Sequence, residues 1–246
     1  DSIYDTFVID SNGLRCRHTE TSFEYGVEMT VKDPEGNRYS GYWWDSTPRL
    51  GELKIGTCCE TAFQRAVAQI GPKRIPSGKY TMVVDSENSS RLVTPLTAAL
   101  GAFALQQKNS FLLDTLGKNV FPEWMNLIDK PLAKGQTGSR LFDSEGVAAK
   151  ETPVIQNGVV KEYFVNTYMS RKMGISPTIE DVIRPVLEPC VAPGFERPSK
   201  MDKEGIMALV GDGILVTGFN GGNSNSATGD FSFGVEGFLF KEGKIV

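Results

Sequence analysis

Chemistry has few residues to draw on in this sequence. It holds a single histidine, His18, and four cysteines, Cys16, Cys58, Cys59 and Cys190. A zinc site built on two histidines of one helix cannot be assembled from one imidazole. A serine or cysteine nucleophile needs a base within hydrogen-bond reach, and His18, between Arg17 and Thr19, reads as a solvated residue on a loop or strand edge. The cysteines have no paired metal-ligand spacing, and neighbours such as Cys58 and Cys59 rarely bond to each other, so all are read as reduced thiols. Cys58 and Cys59 fall on a helical apolar stripe and are expected to act as small hydrophobes. Asp143, Glu145 and Glu151 lie near a turn, where acidic side chains are usually solvated, and no acid/base pair stands out.

The run Gly218–Gly229 (GFNGGNSNSATG) has four glycines and three asparagines in twelve residues. Such a composition permits left-handed conformations and close backbone approach. It lacks the Gly-Lys-Ser/Thr ending of a phosphate loop, and a strand pattern, DFSFGVEGFLF, comes after it where a phosphate site would need a helix N-terminus. A structured turn or a peptide-contacting loop fits better, with Gly221, Gly222, Asn223, Asn225, Thr228, Gly229 and Phe231 as the contact residues. The alternation Phe231, Phe233, Val235 offers an apolar face and a backbone edge for a subunit or an extended peptide, or else marks a core-facing strand.

The elements that position these residues emerge from periodicity. Segments 3–10, 23–32 and 38–44 are rich in β-branched and aromatic types and separated by Ser-Asn-Gly and Asp-Pro-Glu-Gly, which predicts an antiparallel meander. From Leu53 to Ile70 the spacing turns helical, with Cys59, Ala62, Phe63, Ala66, Val67 and Ile70 on one stripe. A strand at 80–84 precedes a second helix running to about Gln107, capped by Ser89 or Ser90, or begun at Thr94 with Pro95 in its first turn. Asn157-Gly158 between TPVIQ and VVKEYFVNTY predicts a type I′ hairpin. Residues 175–199 carry five prolines and read as an extended crossing or a place where residues are missing. A short helix near 201–209, the strand 213–218 and a last hairpin turning at Glu242-Gly243 complete a single α+β domain over 1–246, mainly antiparallel or mixed sheet with two main helices.

Composition limits function further. Charged residues are 23% with a net charge of −4, which gives no basic excess for a phosphate backbone and argues against direct nucleic-acid binding. No apolar run is long enough for a membrane helix, so a cytoplasmic location is expected. The residues alone reach an α+β domain without a visible catalytic constellation.

Five segments, in order, carry a resemblance: Ser11-Asn-Gly13; AVAQIGPKRIPSGKYTMVVD at 66–85; QQKNSFLLDTLGKNVF at 106–121; 138–174, from GSRLFDSEG to SRKMG; and 211–246, from GDGILVTG to KEGKIV. Together they resemble the PmbA/TldE branch of the TldD/PmbA family, linked by name to modulation of DNA gyrase. The resemblance implies the C-terminal type of domain of that fold. It also implies a fragment, without the family's N-terminal α/β region and closing strands. The TldD branch looks like a zinc peptidase that holds its metal with His-Glu-x-x-x-His on a helix. The matching helix here, 89–107, offers residues such as Val93 and Ala98 in place of the histidines and a neutral residue in place of the acid. The resemblance therefore implies a pseudo-peptidase with no cofactor of its own. Its partner would be a zinc-bearing TldD-like subunit, or a second copy, and its substrate an unstructured peptide. The alternative is a non-enzymatic adaptor that acts on a client such as gyrase by contact.

Overall fold

The two early turns fold their flanking segments as the alternation predicts, because Asp10 and Asp33 each tie down the chain just beyond them. Asp10 Oδ1 accepts from the amides of Asn12 and Leu14, and Asp33 Oδ1 from that of Asn37. A computed structural model describes residues 1–188, 190, 193, 194, 196 and 202–246. In it β1 (Ser2–Ile9), β2 (Arg15–Lys32) and β3 (Arg38–Thr47) form one antiparallel sheet in that order. The middle strand begins at Arg15 rather than at Phe23 because it serves two neighbours in succession. Its first part, Arg15–Ser22, pairs with β1, and Phe23–Lys32 pairs with β3.

The first helix, α1 (Cys58–Val67), lies across β2 and β3. Its buried residues are Cys58, Ala62 and Ala66, whereas Phe63 (43% exposed), Val67 and Ile70 of the expected stripe face outward and Cys59 is exposed. The cause is close packing at Gly41, where a Cβ would collide with Ala62 O and Ala66 N and come within 2.9 Å of Arg65 C. Backbones this near admit only the small-residue face of the helix. His18 also departs from the solvated reading. Its side chain is 17% exposed, its ring meets Phe142 edge-on at 6.5 Å, and Nε2, 3.9 Å from Glu20 Oε2, has no hydrogen-bond partner among the described residues.

Backbone contacts divide the chain into two compact units, where the sequence alone suggests one domain over 1–246. The first comprises Asp1–Ser77 and Leu132–Phe142, the second Gly78–Pro131 and Asp143–Val246. The second unit contains β4 (Met82–Val84), α2 (Ser90–Ala99), α3 (Ala102–Gln106), β5 (Leu127–Asp129), β6 (Thr152–Gln156), β7 (Val159–Val160), α4 (Thr167–Met173), β8 (Pro185–Leu187), α5 (Lys203–Val210), β9 (Gly213–Ser224), β10 (Phe231–Lys241) and β11 (Lys244–Ile245). They make two mixed or antiparallel sheets, ordered β11-β10-β9-β4 and β7-β6-β5-β8. The α+β class and the mixed sheets agree with the sequence reading.

The helix expected to run from Ser89 or Ser90 to Gln107 breaks at Gly101. There the chain turns extended and makes strand-like bonds: Phe164 N donates to Leu100 O, and Ala102 N to Phe164 O. This break lets Leu100 and Phe164 enter one core with Leu112, Leu127, Val154, Ile155 and Val160. Pro95 lies inside α2 rather than at its start, so the helix begins before Thr94. Asn157 (φ 49°) and Gly158 (φ 75°) take the two left-handed positions of the predicted hairpin turn. The three carboxylates read as solvated divide differently. Asp143 is buried and accepts from the amides of Glu145, Val147 and Glu180, Glu145 accepts from Thr167, and Glu151 is exposed. Of the proline-rich stretch, β8 pairs with β5, while residues 189, 191, 192, 195 and 197–201 lie outside the described residues.

Two glycines make this packing testable. Gly41→Ala must push α1 off the sheet and is expected to lower stability by about 1–3 kcal/mol. Gly158→Val combines a left-handed φ with a collision against Phe121 O and Pro122 O, and should cost about 1 kcal/mol or more, while Asn157→Gly stays near neutral. Urea titration of the three variants decides. Equal midpoints for Gly158→Val and Asn157→Gly would refute the turn assignment.

Candidate functional site

The glycine-rich run is mostly strand, not loop. Asn223 pairs with Ser232 and Ser224 with Phe231, so β9 continues through the segment and only residues 225–230 turn. Between the Asn223–Ser232 and Asn220–Gly234 pairs, Gly221 and Gly222 stand opposite the single residue Phe233. This is a β-bulge, and both glycines take positive φ, 58° and 80°. Gly221 has open space around it, whereas a Cβ on Gly222 would strike Ser232 O and come within 2.6 Å of Phe233 Cα. The composition that suggests a flexible loop therefore serves a bent strand pair.

The tip is held by its own polar residues. Asn225 N donates to Asp230 O at 2.8 Å, Gly229 N to Asn225 O at 2.8 Å, and Thr228 Oγ1 to Asp230 Oδ2 at 2.7 Å. Phe111 anchors it to the same unit, donating its amide to Ser226 O at 2.8 Å and packing at 3.2 Å from the Cβ position of Gly229. Of the predicted contact residues, Thr228 and Asn225 shape the turn, Gly229 (φ 80°) makes room for Phe111, and Asn223 and Phe231 lie on the paired strands.

On one side of the ribbon the aromatic rings form a row. Phe233 lies 5.4 Å from Phe219 and 5.6 Å from Phe231, centroid to centroid, and the Arg91 guanidinium stands 5.8 Å over the Phe233 ring. Phe231 is 58% and Val235 49% exposed, so their alternation does not mark a core-facing strand. Phe219 and Arg91 escape the sequence reading. Phe219 lies within the glycine-rich run, and nothing near Arg91 in sequence announces a ring so distant along the chain. On its other side β10 begins to pair with β11, through Phe240 and Lys241, and Val246 N donates to Leu239 O.

Helix α2 starts beside this ribbon. Asp85 N donates to Val216 O, and the Asn88 side chain to Thr217 O at 2.8 Å, which fixes the helix entry against β9. The positions that the resemblance assigns to histidines are Val93, half-buried against the hydrophobic core, and Ala98, exposed. Thr94 takes the place of the acid. Val and Ala side chains carry no donor atom, and among the described residues no three His, Cys, Asp or Glu side chains converge as metal ligands. The residues present do not fit a zinc ion.

Comparison with known proteins places this arrangement. Residues 77–246 match the PmbA/TldA metallopeptidase C-terminal domain and residues 1–70 the central domain of the same family. The metalloprotease PmbA homolog of Haemophilus influenzae is 28% identical over 188 residues, covering 76% of this chain and 40% of that protein. A protein of Bacteroides thetaiotaomicron named as a candidate modulator of DNA gyrase has a crystal structure with TM-score 0.90 and 40% identity, covering 98% of this chain and 53% of that one. TldE from Thermococcus kodakarensis, 21% identical, shares the fold with TM-score 0.75 over 97% of this chain and 55% of that one. The chain thus spans about half the length of these relatives or less.

Elemental analysis of the purified protein is expected to find zinc far below stoichiometry, and one zinc per chain surviving mild chelation would overturn the account of α2. At the bulge, Gly221→Asn should be tolerated because asparagine accepts left-handed φ. Gly222→Val should destabilise by about 1–3 kcal/mol, read from thermal unfolding.

Proposed function

The chain belongs to the PmbA/TldD metallopeptidase family, and from that premise we propose that it is a non-catalytic subunit of a TldD/TldE-like zinc peptidase acting on unstructured peptides. The observation that carries this reading is on helix α2: at the positions that the resemblance matches to two metal ligands and a proton acceptor it has Val93, Ala98 and Thr94. Its zinc-bearing partner would be a TldD-like chain, and the complex is expected in the cytoplasm. Among the described residues no helix is long and apolar enough to cross a membrane.

The contribution of such a subunit is shape. The phenylalanine row offers apolar contact to an extended chain or to the partner. A wall that orients a peptide beside the partner's metal lowers the barrier without touching the reacting atoms. A second reading, an adaptor that binds a client such as gyrase, has the name of the Bacteroides relative in its favour. Copurification separates the two: a stoichiometric TldD-like chain supports the first, a homodimer with a stable client the second.

Activity gives the direct test. The full-length protein alone should leave a disordered peptide uncut, and mixing with the TldD-like partner should raise cleavage above that of the partner by itself. Phe231→Ala, at an exposed position, should lower the joint rate several-fold with the partner's zinc retained. Metal-dependent cleavage by this protein alone would sink the pseudo-peptidase reading, whereas an unchanged Phe231→Ala rate would sink only the role of the ribbon.

A further inference from the structure

A second surface, on the N-terminal sheet, goes beyond that reading. Directly opposite residues in β2 and β3 are Glu24 with Ser46, Gly26 with Trp44, and Glu28 with Tyr42. Opposed residues share a face, as do residues two apart along a strand, so Glu24, Gly26, Glu28, Tyr42 and Trp44 form one patch. α1 packs on the other face, where Gly41 meets it. Tyr42 is 52% and Trp44 51% exposed, and Glu24 and Glu28 are exposed as well.

The glycine shapes the patch. A Cβ on Gly26 would lie 2.9 Å from Tyr42 Cζ and 3.1 Å from Cε2, so the Tyr42 ring leans diagonally across the strand gap and covers Gly26, between the two glutamates. This gives an aromatic surface with a carboxylate on either side and an indole next to it. Among the described residues neither glutamate has an ion pair or a side-chain hydrogen bond, and no cation stands over Tyr42 or Trp44. Other rings of the same sheet already carry a cation: Arg65 of α1 lies 4.5 Å over Trp43 and Arg17 of β2 lies 4.9 Å over Phe7. The nearest basic residues of the patch's own face, Lys32 and Arg38, are paired with each other across the strands. The Thr30–Ser40 hydroxyl contact separates them from Glu28 and Tyr42.

The geometry points to a docking surface for a cationic peptide segment in extended form, with an arginine or lysine side chain lying on the Tyr42 ring between Glu24 and Glu28 and flanked by Trp44. Charge complementarity selects this occupant. A carboxylate pair repels an acidic chain and has to be desolvated beneath an apolar one, whereas a guanidinium can lie on the ring face and pair with a carboxylate beside it.

The test uses the full-length protein and three labelled, disordered glycine-serine peptides of equal length carrying three arginines, three lysines or three citrullines, the last a neutral match for arginine. Fluorescence anisotropy should show the arginine peptide binding, the lysine peptide binding less tightly, and the citrulline peptide weakened by about tenfold or more. Glu24→Gln with Glu28→Gln should lose about tenfold for arginine. A control pair elsewhere, Glu123→Gln with Glu151→Gln, carries the same charge change and should leave affinity within about twofold. Equal binding of arginine and citrulline peptides, or equal losses in the two double variants, overturns the proposal. Acrylamide quenching in a variant retaining only Trp44 checks accessibility without peptide. A shielded Trp44 would mean that the protein itself or a second copy covers this face, which also overturns it.

Discussion

The position of β9 between β4 and β10 is the constraint on which the C-terminal unit depends. Its first residues, Ile214 to Val216, pair in parallel with β4 while the same stretch faces β10, and this double pairing buries Leu215 and Val216 completely. Each neighbour then sets something further along the chain. On the β4 side, Asn88 takes the Thr217 carbonyl where the ladder ends, and that contact starts α2. On the β10 side the pairing runs on past the core, so the aromatic row and the bulge project on a ribbon whose base is fixed. The backbone groups of a buried strand must be paired, which is why geometry so far from the core is still well determined.

The contacts that hold α2 are likewise set by packing. Helix α2 is retained by Val93, Leu96, Ala99 and Leu100 against the hydrophobic core and by the Gly101–Phe164 bridge. None of these contacts needs a metal. The fold of this helix therefore stands on its apolar residues and does not depend on what its other positions carry.

Glycine determines approach in both units, with opposite results within the N-terminal one. At Gly41 it brings a helix backbone onto a sheet and turns the small residues of α1 inward, leaving Phe63, Val67 and Ile70 outside. At Gly26 it brings down a ring instead, and the ring stays on the surface. In the first case the missing side chain creates core, in the second a shaped exposed patch. Tyr25, on the helix side of the same strand, illustrates the contrast: its hydroxyl donates to Lys54 O, and the neighbouring Cys58 pushes its pKa up to about 12.

Local signals determined the parts of this protein that local physics controls. The Asn157-Gly158 turn, the meander, the final hairpin and the lack of ligand types on the 89–107 helix were all legible, since turn chemistry and side-chain identity need no partner. Periodicity carried the α+β class, and the family-specific segments the type of domain. Tertiary structure decided what depends on neighbours distant in sequence. The helix to Gln107 broke at Gly101 because Phe164 offered backbone bonds there. The stripe on α1 rotated because Gly41 admitted only small side chains, and the glycine-rich run became a bulged strand because β10 was present to pair with it. Asp143, which reads as a solvated turn residue, became a buried acceptor for three amides. The row Phe219, Phe233 and Phe231 with Arg91 combines residues from a strand pair and a helix, and sequence carries no term for that distance until the sheet brings them together.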